Sequence, residues 1–298
     1  MKKGIKNLAI ATMVGVASMG MLTGCKSEEK EDLKPYIQVS GLDVAYIQNE
    51  DINLEGAKVL YYSDKNDKTA DEINLKDCMI SNLSTEETGN KIMKVFFNGC
   101  ELEINYKVMS ASELVDLYNA AYDNFWYAQN IHADMVLSLE SEFVSMNVLN
   151  NKYYATDGTK QQWIQKENDD WYNYSIEGQT NKKSVMVGVI AKDNIKEYAF
   201  ESIINLEDRE LNVDIVNEFT SWEYDINGHD SVITFKQNGV EGVQETKLTI
   251  KNEKFVKVEH RFFEEDGVTL AYDITSTISY NAEDVNMVEL PNIEWTEN

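Results

Sequence analysis

Alternation of apolar and polar residues with a period of two recurs along most of the chain and constrains its fold more than any other feature. From Cys100 to Val108 every second residue is apolar, and the residues between are charged or polar. The pattern returns at 131–139 and again at 270–280. Because successive side chains of a strand point to opposite faces, such segments form strands with one buried and one solvated face. Turn-forming residues separate the segments, so the sequence predicts antiparallel sheets.

The clearest turn is Asn98-Gly99, which joins an apolar-rich segment at 92–97 to the strand at 100–108. An Asn-Gly pair between two such segments predicts a hairpin, since both central residues of a type I′ turn need positive φ. A further strand is predicted at 57–62, followed by a polar loop at 63–67.

Two stretches of this region resemble the bacterial immunoglobulin-like domains of cell-surface proteins. The stretch "LEGAKVLYYSDKND" resembles the strand and acidic turn of that family, and "TGNKIMKVFFNGCELEINYKV" resembles its closing hairpin. The resemblance covers residues 36–108. It implies a β-sandwich that serves as a spacer or adhesive module and carries no catalysis.

An amphipathic helix is predicted to begin after Ser110. Ser110 and Glu113 have the spacing of a capping box, in which each side chain bonds the backbone N–H of the other residue. Apolar residues then recur every three or four positions, and we expect this aromatic stripe to pack on a sheet as core. The stripe consists of Leu114, Leu117, Tyr118, Ala121, Tyr122, Phe125 and Trp126.

Strand-like segments fill most of the remaining chain. A second helix is predicted at 194–206, with Asp193 as its cap, and strands precede and follow it. The predicted strands lie at 143–149, 152–156, 161–166, 171–175, 222–226, 232–235, 246–250, 255–263 and 270–280.

This order of elements, together with the ending "TISYNAEDVNMVELPN", resembles the LolA/LolB-like and LppX-like lipoprotein carriers. The resemblance covers residues 110–295 and implies an unclosed β-barrel around an apolar cavity that shelters an acyl chain or another apolar group. The expected fold is mainly β: an immunoglobulin-like sandwich at 36–108, followed by an α+β domain at 109–298. That second domain would be a curved antiparallel half-barrel with one or two packed helices. The residues that could line its cavity are Met135, Leu137, Trp163, Val258 and Ile274.

The first 24 residues have the pattern of an export signal. Three lysines precede an uncharged apolar stretch at 8–22, which is too short to span a bilayer comfortably. The end of this stretch, Leu22-Thr23-Gly24-Cys25, resembles the bacterial lipobox, which implies cleavage before Cys25 and a diacylglyceryl group on its sulfur. A plain signal peptide with an incidental cysteine is the alternative. Residues 25–35 are mostly charged and predict a flexible acidic tether.

These features predict a location outside the cytoplasm, with the lipid on Cys25 anchoring the chain to the cell membrane. Two acyl chains hold a protein stably on a bilayer, whereas a single chain binds marginally. The Asn- and Lys-rich, Pro-poor composition is typical of a low-G+C Gram-positive source.

Two cysteines, Cys78 and Cys100, fall within the predicted sandwich. Export would permit a disulfide between them. Cys100 also lies on the apolar face of its strand, where a free thiol packs as a small hydrophobe. Two buried free thiols are favoured, and the disulfide stays open as the alternative.

The charge of the chain argues against nucleic acid as a partner. The formal charge is -25, and removal of residues 1–24 takes away three lysines and no acids. Nucleic-acid binding depends on neutralising phosphates with Lys and Arg, and an acidic surface does not provide this.

Catalytic and metal-binding motifs are absent from the sequence. It contains no G-x-S-x-G, H-E-x-x-H, P-loop or dinucleotide fingerprint, and its three histidines are scattered. His260 is in phase with Val256, Val258 and Phe262, so we expect a core-facing or rim histidine with a hydrogen-bond partner. The acidic loop at 64–68 lacks the glycine and the closing glutamate of a calcium loop. No enzyme activity, cofactor or metal is expected.

Two functions therefore fit the sequence. The first is a non-enzymatic, membrane-anchored lipoprotein that binds an acyl chain, a lipoprotein segment or another apolar molecule in its half-barrel, with the sandwich as spacer. The second is a structural or adhesive surface protein that binds a protein or glycan partner. Tryptophans at 163, 171, 222 and 295 could contact sugar or lipid, although tryptophans in such strands usually belong to the core.

Overall fold

The computed structural model describes residues 34–64, 66–138, 142–186, 195–204, 211, 221–239 and 242–297. The export signal, Cys25, most of the tether and the helix cap Asp193 lie outside these residues, as do Lys65 of the predicted loop and Leu139 of a predicted strand. The chain divides into two compact units between Val108 and Met109.

Residues 34–64 and 66–108 of the first unit form strands and a turn of 3-10 helix, Leu75–Asp77. Its two sheets have the strand orders β1-β3-β4 and β2-β7-β6-β5. The strands are β1 Tyr36–Ser40, β2 Ala45–Ile47, β3 Lys58–Tyr62, β4 Asp71–Asn74, β5 Met79–Ser81, β6 Gly89–Phe97 and β7 Cys100–Met109.

Both sheets contribute to one apolar core. Ile37 of β1 and Val59 of β3 come from the first sheet, Val95 of β6 comes from the second, and Leu75 of the 3-10 turn joins them; each is 5% exposed or less. The side chains that alternate with these residues are more exposed, fully so at Gln38 and Lys58 and partly so at Leu60 and Phe96.

The predicted hairpin joins β6 to β7. Phe97 pairs with Cys100 across the turn, and both turn residues have positive φ, 48° at Asn98 and 79° at Gly99. This conformation fits the type I′ turn expected from the Asn-Gly pair. The hairpin prediction is confirmed.

The two cysteines of this unit are free thiols, and both are half-buried. Cys78 directly precedes β5 and Cys100 opens β7, while β6 lies between these two strands. Two inter-strand spacings separate backbones by about 9–10 Å. Since a disulfide needs Cα atoms within about 7 Å, this strand order does not accommodate the bond. The thiols are more exposed than the sequence predicted.

The second unit begins with α1, Ala111–Tyr127. The predicted capping box is present: the Glu113 N–H donates to Ser110 Oγ at 3.2 Å, and the Ser110 N–H donates to Glu113 Oε2 at 2.8 Å. The buried face of the helix carries Tyr118, Tyr122 and Phe125. The aromatic stripe is core, as predicted.

One 12-stranded sheet makes up most of this unit, with the order β14-β15-β16-β17-β18-β8-β9-β10-β11-β12-β13-β19. Neighbours are antiparallel except β13 and β19, which are parallel. The second helix, α2, spans Ile195–Ile204. The strands are β8 Asn130–Leu137, β9 Glu142–Leu149, β10 Lys152–Thr156, β11 Lys160–Glu167, β12 Asp170–Glu177, β13 Thr180–Val185, β14 Ser221–Asn227, β15 Asp230–Gly239, β16 Gly242–Lys251, β17 Lys254–Phe263, β18 Leu270–Ser279 and β19 Thr296–Glu297.

The sheet curls around the two helices as a half-barrel. Tyr118 of α1 contacts Phe255 of β17, and Tyr198 of α2 contacts Tyr153 of β10, each with ring centroids 5.4 Å apart. Phe200 of α2 also packs against α1. Strands β17 and β10 are separated by three others, so one helix pair touches strands far apart in the sheet. We call this side of the sheet the helix-facing surface and the opposite side the outer surface.

The chain ends as a strap over the outer surface. Residues 281–297, here the C-terminal strap, cover a row of aromatic side chains formed by Tyr154, Trp163 and Tyr174 on adjacent strands. Trp295 of the strap lies 5.0 Å from the Tyr174 ring. At its end, β19 adds to the sheet edge at β13.

Candidate functional site

Four of the five predicted cavity residues share the helix-facing surface. Met135 of β8 pairs with Ser276 of β18, which in turn pairs with Val258 of β17. Leu137 pairs with Ile274 on the same pair of strands. Directly paired residues lie on the same face of a sheet, so these four apolar side chains share one face, with the polar Ser276 between Met135 and Val258.

Trp163 lies on the outer surface and is a correction to the sequence analysis. Tyr153, which contacts α2, pairs with Ile164, so the neighbouring Trp163 points away from the helices. Its indole N–H donates to the carbonyl of Val288 in the C-terminal strap at 2.9 Å. The consecutive residues Trp163 and Ile164 are both apolar. The alternation of apolar and polar residues therefore could not show which of the two faces the helices.

The helix-facing surface is buried at one end and more open at the other. At the closed end Ile131, Val148 and Ile164 are each 1% exposed or less. At the open end Met135 and Leu137 are half-buried. The two ends are opposite ends of the β8–β9 hairpin.

An open cleft of about 220 Å³, which we call the cavity, lies at the open end, and seven of its ten lining residues are polar or charged. Val144 and Ala155 provide apolar lining from β9 and β10, and Gln162 and Ser175 provide polar lining from β11 and β12. The register places all four on the helix-facing surface. Sequence reasoning missed these residues because they meet only through the pairing of four strands.

The rim of the cavity carries fixed charges. Lys160 and Glu177 form an ion pair at 3.1 Å. The carboxylate of Asp157 accepts the backbone N–H groups of Lys160 and Thr159 at 2.6 and 2.7 Å, and these bonds lower the pKa of Asp157. The site therefore combines partly apolar walls with a polar, charged edge.

His260 forms a separate buried polar contact on the helix-facing surface. Its Nε2 lies 3.2 Å from the Ile203 carbonyl at the end of α2, and its Nδ1 lies 3.0 Å from Thr246 Oγ1. Because a carbonyl only accepts, Nε2 carries the proton and Nδ1 accepts from the threonine hydroxyl. Burial lowers the pKa of His260, although the bond to Ile203 opposes this. The prediction of a core-facing or rim histidine with a hydrogen-bond partner is confirmed.

The described residues contain no group of three or more His, Cys, Asp or Glu side chains placed to hold a metal ion. In the same part of the chain, no helix has the length and apolar character needed to cross a membrane.

Comparison with known proteins gives structural matches only. No family model matches the chain, and no curated protein matches it. The lipoprotein LppX of Mycobacterium tuberculosis has a TM-score of 0.32 and 10% identity, with 59% of this chain and 98% of LppX covered. LprF of Mycobacterium bovis has a TM-score of 0.33 and 13% identity, with coverage of 61% and 97%. TM-scores this low carry no conclusion about function, and the half-barrel fold rests on the strand order and helix contacts described above.

Proposed function

We propose that the chain is a lipid-anchored, extracytoplasmic lipoprotein that binds an apolar chain at the open end of its half-barrel and performs no catalysis. The cavity lined by Val144 and Ala155 carries this proposal. Half-buried Met135, Leu137 and Ile274 lie on the same face of the sheet. In this arrangement an acyl chain, or an apolar segment of another lipoprotein, would cover side chains that are now partly in contact with water.

The size and edge of the cavity favour a single amphiphilic chain. Its volume is below the roughly 300–1,000 Å³ typical of sites for drug-sized ligands. Each methylene that leaves water contributes about 0.8 kcal/mol, so a short inserted chain gains several kcal/mol. The charged rim at Lys160 and Glu177 would contact a polar headgroup.

Binding of dansyl-labelled undecanoic acid to the purified full chain tests this function. We expect a blue-shifted rise in dansyl fluorescence with the wild-type protein. Val144→Trp fills the cavity and should weaken binding by about tenfold or more, which corresponds to at least 1.4 kcal/mol. Val136→Trp is the matched control, because Val136 is 47% exposed on the outer surface of the neighbouring strand. No fluorescence change with the wild type, or equal binding by both variants, would contradict the proposal.

The location depends on the proposed lipid at Cys25. Cells fed an alkyne analogue of palmitate should label the wild-type chain, and Cys25→Ser should abolish both the label and membrane retention. Labelling of the Cys25→Ser chain would contradict the anchor. In this arrangement the first unit is an immunoglobulin-like spacer above the membrane.

A second candidate function is adhesion through the outer surface. Val136 and Phe143 are directly paired on β8 and β9, and both are nearly half exposed, at 47% and 48%. Such an exposed pair is typical of a contact point for a protein partner. Loss of attachment between cells carrying Phe143→Ser and cells with the wild-type protein would favour this function over ligand transport.

A further inference from the structure

A second cavity, of about 230 Å³, lies where α1 ends. We call it the α1 pocket. It shares no lining residue with the cavity at the open end, and Asn130 at the start of β8 places it at the closed end of the half-barrel. A ligand here would be independent of the proposed apolar ligand.

Side-chain amides dominate the lining of the α1 pocket. Asn124, Gln129 and Asn130 all contribute to it. The amide nitrogen of Asn124 donates to the carbonyls of Ala120 and Glu253, both at 2.9 Å, which fixes this side chain in place. These two bonds leave Asn124 only its oxygen for a ligand, whereas the amides of Gln129 and Asn130 have both donors and acceptors. Such a lining suits a ligand rich in hydroxyl groups and does not suit an acyl chain.

The charges around the pocket oppose each other. Lys254 contributes an ammonium group, which lies 5.1 Å from the centre of the Tyr280 ring. The carbonyls at the end of α1 form the negative end of a helix dipole, worth about half an elementary charge. The Lys196 ammonium donates to the Trp126 carbonyl of the same helix end at 2.7 Å, so a second cation opposes the dipole there and an anion is the competing ligand that the test has to exclude.

Two tyrosines give the pocket an aromatic side. Tyr127, the last residue of α1, is 76% exposed, so its ring is open to a partner. The negative face of an aromatic ring attracts weakly positive C–H groups, such as those on one face of a sugar ring. The Tyr280 hydroxyl is buried at the wall and has no hydrogen-bond partner among the described residues.

We propose that the α1 pocket binds an uncharged carbohydrate, with one sugar ring stacked on Tyr127 and its hydroxyl groups bonded to the amides. The volume of the pocket limits the enclosed part of the ligand to about one ring. Further rings of a glycan would extend into solvent beside Tyr127.

Saturation-transfer NMR on the purified full chain tests this inference, with glucose, galactose and N-acetylglucosamine as separate probes. We expect transfer to at least one of the three sugars. Tyr127→Ala should weaken that binding by about two- to tenfold, because it removes the aromatic face on which the sugar ring stacks. Val268→Ala is the control, because Val268 is also an exposed apolar residue, at 81%, but precedes β18 at the opposite end of the sheet. It should leave the signal unchanged.

Inorganic phosphate provides the competing outcome. If phosphate displaces the sugars and Lys254→Met abolishes phosphate binding, the pocket is an anion site and the carbohydrate proposal is wrong. Absence of transfer from all three sugars, or equal transfer with Tyr127→Ala, would overturn it as well. Tyr127 is exposed at a helix end, so its replacement leaves the core intact and these outcomes are not confused with unfolding.

Discussion

At the scale of single residues, His260 shows how a buried polar group can join a helix to a sheet. Its two ring nitrogens bond the last turn of α2 and the hydroxyl of Thr246 on β16. The neutral ring accepts the hydroxyl proton of Thr246 at Nδ1, while Gln244 donates to Thr246 Oγ1 at 3.3 Å. A proton on Nδ1 would remove the acceptor of that hydroxyl proton. His260 therefore stabilises the docking of α2 in its uncharged form.

The stability contributed by His260 should depend on pH. Its pKa is lowered in the folded chain, so below the ordinary value of about 6.5 the unfolded chain takes up the proton more readily. The contribution is complete above pH 6.5 and is lost as the pH falls from there through the folded pKa. We expect the difference in unfolding free energy between wild type and His260→Gln, measured with urea, to shrink from pH 7.5 to pH 5. The exposed residue His229 gives the control His229→Gln, and a constant difference for His260→Gln would contradict this assignment.

The two half-buried thiols lead to a second prediction at this scale. Burial raises the pKa of Cys78, with a further contribution from Asp77, and burial also raises the pKa of Cys100. Since the thiolate is the reactive form, both should react slowly at neutral pH. After unfolding in urea without reductant, iodoacetamide should add to both residues, as peptide mass spectrometry can show. Alkylation that requires prior reduction would instead indicate a disulfide and contradict the strand order described above.

At the scale of elements, the C-terminal strap replaces a layer that a second sheet or a helix would otherwise provide. Met287, Leu290 and Trp295 pack on buried aromatic side chains of the outer surface. The backbone N–H of Asn286 donates to Asn147 Oδ1 at 2.9 Å, which ties the start of the strap to β9. The strap therefore shields an aromatic row that would otherwise be exposed.

Removal of one strap anchor should measure this shielding. Trp295→Ala should lower the unfolding free energy by about 2 kcal/mol, less than the 3–5 kcal/mol for a fully buried tryptophan because Trp295 is half-buried. Ile293→Ala is the control, since Ile293 is 39% exposed in the same strap and should cost below about 0.5 kcal/mol. Urea unfolding followed by circular dichroism gives both values. An equal loss of unfolding free energy in Trp295→Ala and Ile293→Ala would show that packing of the strap does not stabilise the half-barrel.

Period-two alternation predicted most of the strands, and the capping box predicted the start of α1, because these signals are local. Strand β13 was missed: its sequence TNKKSV has one large apolar residue and lies next to the sheet edge, where burial imposes little pattern. The cavity at the open end depends on register across four strands, which no local signal contains. The sequence did not predict the strap. Most of its residues form no strand, so they carry no period-two pattern, and their position depends on tertiary contacts.

At the scale of the whole molecule, the charge of the chain opposes its compact fold. There are 52 acidic and 27 basic residues, so the net repulsion is large. The ion pairs on the surface, such as that between Lys58 and Glu72, contribute only about 0–1 kcal/mol each. Repulsion among the excess carboxylates should therefore outweigh these pairs.

Moderate salt should stabilise the chain for this reason. The screening length falls from about 30 Å at 0.01 M salt to about 10 Å at 0.1 M, which weakens long-range repulsion before it weakens close pairs. We expect the melting temperature to rise between 10 and 150 mM sodium chloride, as measured by differential scanning calorimetry. An equal concentration of sucrose is the control for effects unrelated to charge. A fall in the melting temperature would show that attractive pairs dominate.

The pairing of β18 with β8 joins parts of the chain that are made at very different times. Ala133 leaves the ribosome long before its partner Ile278, and the same order applies to any passage of the chain through a channel from its N-terminus. Before β18 is made, the backbone N–H and C=O groups on one edge of β8 have no strand to pair with. Such an edge can pair with a strand of another chain or with the wrong strand of its own. The described strands of the first unit pair only with one another, so this unit can fold while the rest is still emerging. The half-barrel cannot complete its sheet until β18 is available. Its assembly is therefore the step at which the newly made chain is most vulnerable to aggregation and proteases.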